Sequence, residues 1–338
     1  MAAPARLGGF KILKDVVGFS FICPNQTGDL PLDFFRAVAE EKINLPFITC
    51  IKGGPSWKIH LMVEAPDEAR TSDVIQALGI QRVQAVKSVV FSLFPHKRNP
   101  EITSSLFKVF GLERIEPGAM ANSPSAISIA LKENYVDKIS KALFGPFSFS
   151  AYRTPADWKL AQKGKEELYK EVVASYQEQR PKVYGLEYQE GHELLQAKLD
   201  SCRIDSFGAV FKEFSRLGLP ISFFTGGPSD EVGRNDFVFC LPPTEDQSRR
   251  EIIKEIEQGV DLKTFSPVTV FGMNGPHFGD RYGILSELLS SFANSRIDLL
   301  ALNCTIASIM GVVPASSQDL TLQAVEQCFE VPAVIKKE

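Results

Sequence analysis

The sequence predicts an α+β fold: four βαββαβ units in two tandem pairs, with antiparallel sheets and helices on one face. Three observations predict it. Residues 45–56 read LPFITCIKGGPS and residues 219–229 read LPISFFTGGPS, which sets Gly53 and Gly226 173 positions apart (226 − 53). SVVFSLFPHKR ends at Arg98 and VTVFGMNGPHFGDR at Arg281, which sets Pro95 and Pro276 181 apart (276 − 95). Two landmarks recurring in the same order, near half of a 338-residue chain, mark a duplicated unit of about 170 residues. Within each half, the apolar pattern alternates between strand and helix spacing in the same order, twice over.

The elements follow along the chain. The first unit has a strand over 16–23, then a helix over 31–41 that keeps Phe34, Phe35, Val38 and Ala39 on one face. Strands over 45–52 and 57–64, a helix over 67–78 and a short strand over 82–86 complete it. The second unit has a strand over 88–94 and a helix over 101–110. A hairpin of 113–122 and 125–131, a helix over 133–143 and a closing strand over 147–152 follow. Thr154 and Pro155 open a connecting helix over 154–179, with Trp158, Ala161, Leu168, Val172 and Tyr176 on its apolar stripe. The third unit has a strand over 182–188, a polar segment over 190–204, a helix over 206–217, strands over 220–225 and 236–241, and a helix over 244–258. The fourth has a strand over 267–273, a helix over 282–294, strands over 298–304 and 306–313, a helix over 316–328 and a closing strand over 331–335. The unit limits read 1–86, 87–153, 181–262 and 263–338, with 154–180 connecting. This order is the split βαβ, ferredoxin-like arrangement. Both Gly-Gly-Pro-Ser segments read as hairpin turns.

Composition excludes several classes. Lys plus Arg is 37 against 41 Asp plus Glu, a net charge of −4, which opposes nucleic-acid binding by bulk charge. The aromatic RNP1 pattern is missing as well. The most apolar stretch, 299–315, contains Asn303, Thr305, Ser308 and Gly311 and reads as two buried strands, not a membrane span. The start, MAAPARLGGFKIL, has no apolar signal core. Six cysteines, at 23, 50, 202, 240, 304 and 328, form no CxxC and read as reduced packing residues of a cytoplasmic protein. His96 and His277 have no partner at metal-ligand spacing. GxSxG, HExxH and a GK[ST] ending are absent. The expectation is therefore a protein that is not an enzyme, with no metal and no cofactor.

Residues 78–131 run LGIQRVQAVKSVVFSLFPHKRNPEITSSLFKVFGLERIEPGAMANSPSAISIAL. Residues 266–314 run SPVTVFGMNGPHFGDRYGILSELLSSFANSRIDLLALNCTIASIMGVVP. Both resemble the regulatory tail of aspartate kinases, which is built from ACT domains. In the second, Gly283-Ile284 matches the family's Gly-Val or Gly-Ile at the helix start. Arg296-Ile297-Asp298 stands at the family's entry to its second strand. No kinase-like catalytic segment accompanies the resemblance. Glu101 departs from it, standing where the family has Gly.

The resemblance implies binding of a small ligand, usually an amino acid, between paired modules, with the loop after the first strand supplying the site. In the fourth unit it assigns Asn274, His277, Asp280, Arg281, Gly283 and Ile284 to that loop and helix start. Cys304, Thr305 and Ile306 face it from the hairpin. The residue chemistry suits such a ligand: Arg281 can clamp a carboxylate, Asp280 can take an ammonium, and a helix start offers N–H groups. In the second unit, His96, Lys97, Arg98, Asn99 and Ile102 are the loop candidates and Asn122, Ser123 and Ser125 the hairpin ones. In the first unit they are Asn25, Gly28 and Asp29. The functional expectation is a non-catalytic regulator that senses an amino acid and signals to a protein partner or across its own homodimer. The alternative is a ligand-free ACT scaffold, an interaction subunit of a metabolic enzyme or regulator. Only a sensor gains stability when ligand is added.

Overall fold

Four long strands organise the molecule: β2 (Gly9–Pro24), β5 (Gln84–Phe94), β9 (Gly185–Asp200) and β12 (Asp261–Asn274). The computed structural model describes residues 4–24, 30–54, 56–81, 83–94, 99–162, 180–201, 204–243, 251, 261–275, 278–279, 281–305 and 307–337. Around the long strands the first half supplies β1 (Ala5–Leu7), α1 (Leu32–Glu40), β3 (Phe47–Lys52), β4 (Ser56–Glu64) and α2 (Glu68–Ala77). It continues with α3 (Pro100–Glu113), β6 (Met120–Asn122), β7 (Ile127–Lys132), α4 (Val136–Ala142), β8 (Phe147–Phe149) and α5 (Pro155–Gln162). The second half supplies α6 (Ile204–Arg216), β10 (Phe223–Pro228), β11 (Arg234–Leu241) and α7 (Ile284–Asn294). It ends with β13 (Ala301–Thr305), β14 (Ser308–Pro314), α8 (Gln318–Cys328) and β15 (Val334–Lys336).

The class is α+β, with eight α-helices among the described residues and one large mixed sheet. Strands run in the order β11-β10-β6-β7-β5-β2-β4-β3-β13-β14-β12-β9-β15, and β11 also pairs with β9. That last ladder closes twelve strands into a ring and leaves β15 outside it. The ring is antiparallel throughout, while β15 on β9 and β8 on β1 are parallel. Pairing repeats between halves. β2 ladders with β4 and β5 as β9 does with β11 and β12. β5 ladders with β7 as β12 does with β14.

Apolar side chains sort onto the two faces of the ring. One outer core joins Phe34, Trp57, Leu288 and Phe292 from α1, β4 and α7. The other joins Phe107, Phe110, Phe211 and Phe237 from α3, α6 and β11. Phe107 lies 5.7 Å from Phe207 and 5.5 Å from Phe211, pairs that each add about 0.5–1.5 kcal/mol beyond burial. A Cβ on Gly208 would sit 2.9 Å from Phe107 Cβ, so only glycine lets α6 approach α3 this closely. Inside the ring lie two smaller clusters, around Ile51, Phe223 and Val270 and around Phe47, Met62 and Val90. An ionic strap ties the halves: Lys58 Nζ reaches Asp236 at 2.5 Å and Asp230 at 2.7 Å. Lys58 holds the Asp230 carboxyl down to about 2.

Several expected elements differ, each for a physical reason. The strand expected over 16–23 starts at Gly9, because a register shift after Leu13, with Asp15 at φ 57, carries it past a polar break. The strands expected over 82–86 and 88–94 are one, β5, so the limit at 86/87 falls inside a strand; the limit at 262/263 falls inside β12 likewise. The polar segment expected over 190–204 is mostly the second half of β9, laddered on both sides. The closing strand over 147–152 is reduced to β8, which pairs with β1 outside the large sheet. The closing strand over 331–335 is β15, parallel to Leu186–Tyr188. Gly226 and Gly227 are strand residues opposite Phe237 and Asp236, not a turn. A Cβ on Gly226 would stand 2.2 Å from the Phe237 ring. The connecting helix is described over α5, and 163–179 lies outside the described residues. So does the helix expected over 244–258, apart from Glu251.

Candidate functional site

β3 and β13 run side by side, with Ala301 opposite Ile51 and Cys304 opposite Ile48. This seam brings the turn between β12 and α7 against α1 and the segment entering β3. Gly283 caps α7 with φ 84, a left-handed conformation that favours glycine, and no side chain caps that end. The amides of the first turn thus lack intrahelical acceptors. A Cβ on Gly283 would be 3.8 Å from Ala39 Cβ on α1. Between the two elements lies a niche lined by Phe35, Ile43, Leu45, Phe278, Arg281, Tyr282, Gly283, Ile284, Leu285, Ser286 and Cys304. Its volume is about 20 Å³, room for one water.

The niche joins Arg281, Gly283, Ile284 and Cys304 of the expected fourth-unit residues. Asn274 and Thr305 are engaged with the hairpin instead. Ser308 Oγ donates to Asn274 Oδ1 at 2.6 Å, and Thr305 Oγ1 donates to the Ser308 carbonyl at 3.4 Å. His277, Asp280 and Ile306 lie outside the described residues. Sequence reasoning missed Phe35, Ile43 and Leu45 as site residues, since no local pattern reports that β3 would pair with β13, and it passed over Phe278 beside the polar loop residues. Burial pushes the Cys304 thiol up to about 12. Burial, then Asp33, pushes Cys23 to about 11. Cys50 rises well above its usual value through burial and its neighbours Cys23 and Cys304. These thiols stay protonated at neutral pH and act as packing groups, not nucleophiles.

The second-unit candidates among the described residues make contacts within the fold. Asn99 caps α3 by accepting from Glu101 N at 2.9 Å, and Ile102 is buried in the core. Asn122 is fully buried and bridges to β10: its Oδ1 accepts from Phe224 N at 2.7 Å and its Nδ2 donates to the Ile221 carbonyl at 3.4 Å. Ser123 Oγ accepts from Ala126 N at 3.0 Å and lies 3.4 Å from Ser125 Oγ, closing the hairpin turn. His96, Lys97 and Arg98, and Asn25, Gly28 and Asp29 of the first unit, lie outside the described residues. Among the described residues no cluster of three His, Cys, Asp or Glu is placed to hold a metal. None of the described helices is long and apolar enough to cross a membrane.

No protein-family model matches the chain, and no curated protein matches it in sequence. Solved structures do. An aspartate kinase from Synechocystis superposes with a TM-score of 0.75 at 14% identity, over 96% of this chain and 56% of its own. The chain therefore spans a little over half the length of that kinase. The ligand-free regulatory subunit of aspartate kinase from Thermus thermophilus overlaps 44% of this chain and 99% of its own, at 15% identity and a TM-score of 0.39. The expected likeness to aspartate kinases is thus present as likeness of fold. The expectation of a protein that is not an enzyme is overturned by the first match, since nearly the whole chain shares its fold with a catalytic enzyme.

Proposed function

We propose that the chain is the amino-acid-responsive part of an aspartate-kinase-type catalytic system, taking its ligand at the β3–β13 seam. The observation that carries this reading is the niche itself, where Arg281 and the uncapped start of α7 meet Phe35, Ile43 and Leu45 across that seam. A cation beside amides without intrahelical acceptors suits a ligand carboxylate, and the apolar wall suits its side chain. The fold shared with an aspartate kinase supports the same reading.

In this reading the chain consists of four ACT-like βαββαβ units that exchange strands. The first unit takes the second half of β2, then β3, β4 and the start of β5; the order β5-β2-β4-β3 supports it. The second takes the rest of β5, β6 and β7, and receives its fourth strand from the start of β2. The third and fourth repeat this with β9 to β14. The unit limits are therefore interleaved. The first and fourth units meet along β3 and β13, and the second and third along β6 and β10. Phe107, Phe207 and Gly208 pack the second seam tightly, so we assign sensing to the seam that holds the niche.

An amino acid needs a pocket far larger than about 20 Å³. Binding must therefore spread the loop from α1, and the ligand favours the spread state over the closed one. That differential affinity is what an allosteric signal requires. The test is a thermal-shift panel of the twenty amino acids on the chain, repeated with Arg281→Gln. A dose-dependent rise for one or two related compounds, weakened about tenfold or more in the variant, supports the reading. Loss of a charge-assisted hydrogen bond has that size. A flat panel, or equal affinity in the variant, refutes it.

A further inference from the structure

The two outer cores account for the helices, but the inner face of the ring carries a polar row that neither the niche nor the helices use. Thr49 on β3 is the direct cross-strand partner of both His60 on β4 and Asn303 on β13. Direct partners project to the same side of a sheet, and Ile51, Phe47 and Met62 place that side inside the ring. Thr49 and Asn303 are 0% exposed and His60 is 3%. One polar atom of each, Thr49 Oγ1, His60 Nε2 and Asn303 Oδ1, has no hydrogen-bond partner among the described residues.

Three neighbouring orphans in one row are unusual, because buried polar atoms in folded proteins are almost always paired. The rest of the row is well served. His60 Nδ1 lies 2.9 Å from Ser20 Oγ. Asn303 Nδ2 lies 3.5 Å from the Phe224 carbonyl, on the β10 strand that faces β3 and β13 across the ring. Asn122, 181 positions before Asn303 (303 − 122), is its repeat counterpart and has both ends of its amide engaged by β10. Asn303 has the same side chain on the equivalent strand, yet its oxygen finds no donor among the described residues. Gly227 of β10 supplies the opposite wall. A Cβ there would stand 2.7 Å from His60 Cδ2 and 2.8 Å from Nε2, so only glycine lets β10 pack on the imidazole at this point.

We propose that ordered internal water occupies this row between the two sides of the ring and joins Thr49, His60 and Asn303. Water has the required chemistry. With Nδ1–H donated to Ser20, His60 Nε2 is an acceptor, as Asn303 Oδ1 always is. One water can accept from the Thr49 hydroxyl and donate to the acceptor on one neighbouring strand, His60 Nε2 or Asn303 Oδ1, and a second water can serve the other. Neighbouring strands stand about 4.8 Å apart, a span that two hydrogen bonds through one water cover. A charged ligand is disfavoured, since Thr49, His60 and Asn303 are uncharged and lie beside two apolar clusters, and the nearby Lys58 is already paired with Asp230 and Asp236.

The experiment is a high-resolution crystal structure of the chain, together with the melting temperatures of Thr49→Val and Thr49→Ser. The expected result is a density peak within hydrogen-bond distance of at least two of the three atoms. Thr49→Val, close to isosteric, then melts lower because it strips the water of a partner, and Thr49→Ser restores the wild-type value. No peak at the row overturns the proposal. So does a Thr49→Val protein that melts at or above the wild-type temperature, as expected when an unpartnered buried hydroxyl is simply removed. Should Thr49→Val fail to fold, the wild-type density decides alone.

Discussion

Acid should weaken the protein through His60, by an amount the structure sets. The imidazole is 3% exposed, faces Ser20, packs on Gly227 and lies near Lys58 on its own strand. Lys58 is itself paired with Asp230 and Asp236 of the second half. Burial first, then Lys58, lowers the His60 pKa from 6.5 to about 4. In the unfolded chain the same ring takes a proton below about pH 6.5. Between these values the unfolded state binds more protons, so stability falls as pH falls through the window and is fully present above it. One group gives at most about 1.4 kcal/mol per pH unit. Over the window from 6.5 to about 4 the loss is about 3 kcal/mol. The assay is urea unfolding at a series of pH values from about 7.5 to about 4 for wild type and His60→Gln. Carboxylates titrate in both proteins, so the difference between the two curves isolates His60. Wild type should lose about 3 kcal/mol more than the variant across the window. Parallel curves would refute the placement of a neutral, buried imidazole at this point of the sheet.

Two further predictions test how the chain uses its repeats. Gly226→Ala should destabilise by about 1–3 kcal/mol or more, by overpacking against the Phe237 ring and the Asp236 carbonyl at 2.2 and 2.7 Å. Gly54→Ala, at φ 69 with nothing within 4 Å, should lose only about 1 kcal/mol through backbone strain; chemical denaturation of the pair would contradict the strand assignment if the two losses matched. Asn122→Ala leaves the buried Phe224 amide without its 2.7 Å acceptor and should cost about 1–3 kcal/mol. A calorimetric change near zero would show that Asn122 does not hold the β6–β10 seam.

The helices were legible because their apolar spacing is local. Phe34, Phe35 and Val38 are buried on α1 as the spacing of 31–41 requires, and Leu285, Leu288 and Phe292 are buried on α7. The long strands were only half legible. Polar positions in β9 such as Gln189 and His192 are buried between ladders, so a reading that equates polarity with loops ends the strand early. The paired Gly-Gly-Pro-Ser segments show the same limit. The same Gly-Gly pair leaves the strand after Lys52 and stays in a strand before Ser229, because Gly226 and Gly227 lie against Phe237 and His60 while nothing stands within 4 Å of Gly54.

The candidate site was legible on one side. Arg281, Gly283, Ile284 and Cys304 came from the resemblance, while Phe35, Ile43 and Leu45 came from the pairing of β3 with β13, more than two hundred residues apart in the chain. Local residue patterns set the alternation of helix and strand, the duplication, and which face of each helix is apolar. These depend on spacings of a few residues. Long-range packing chose which strands become neighbours, that β2 and β9 each serve two ladders, that the ladders close into a ring, and which seam is tight and which holds a niche. Those choices depend on contacts between distant segments, where a single glycine such as Gly208 sets how closely two backbones can come.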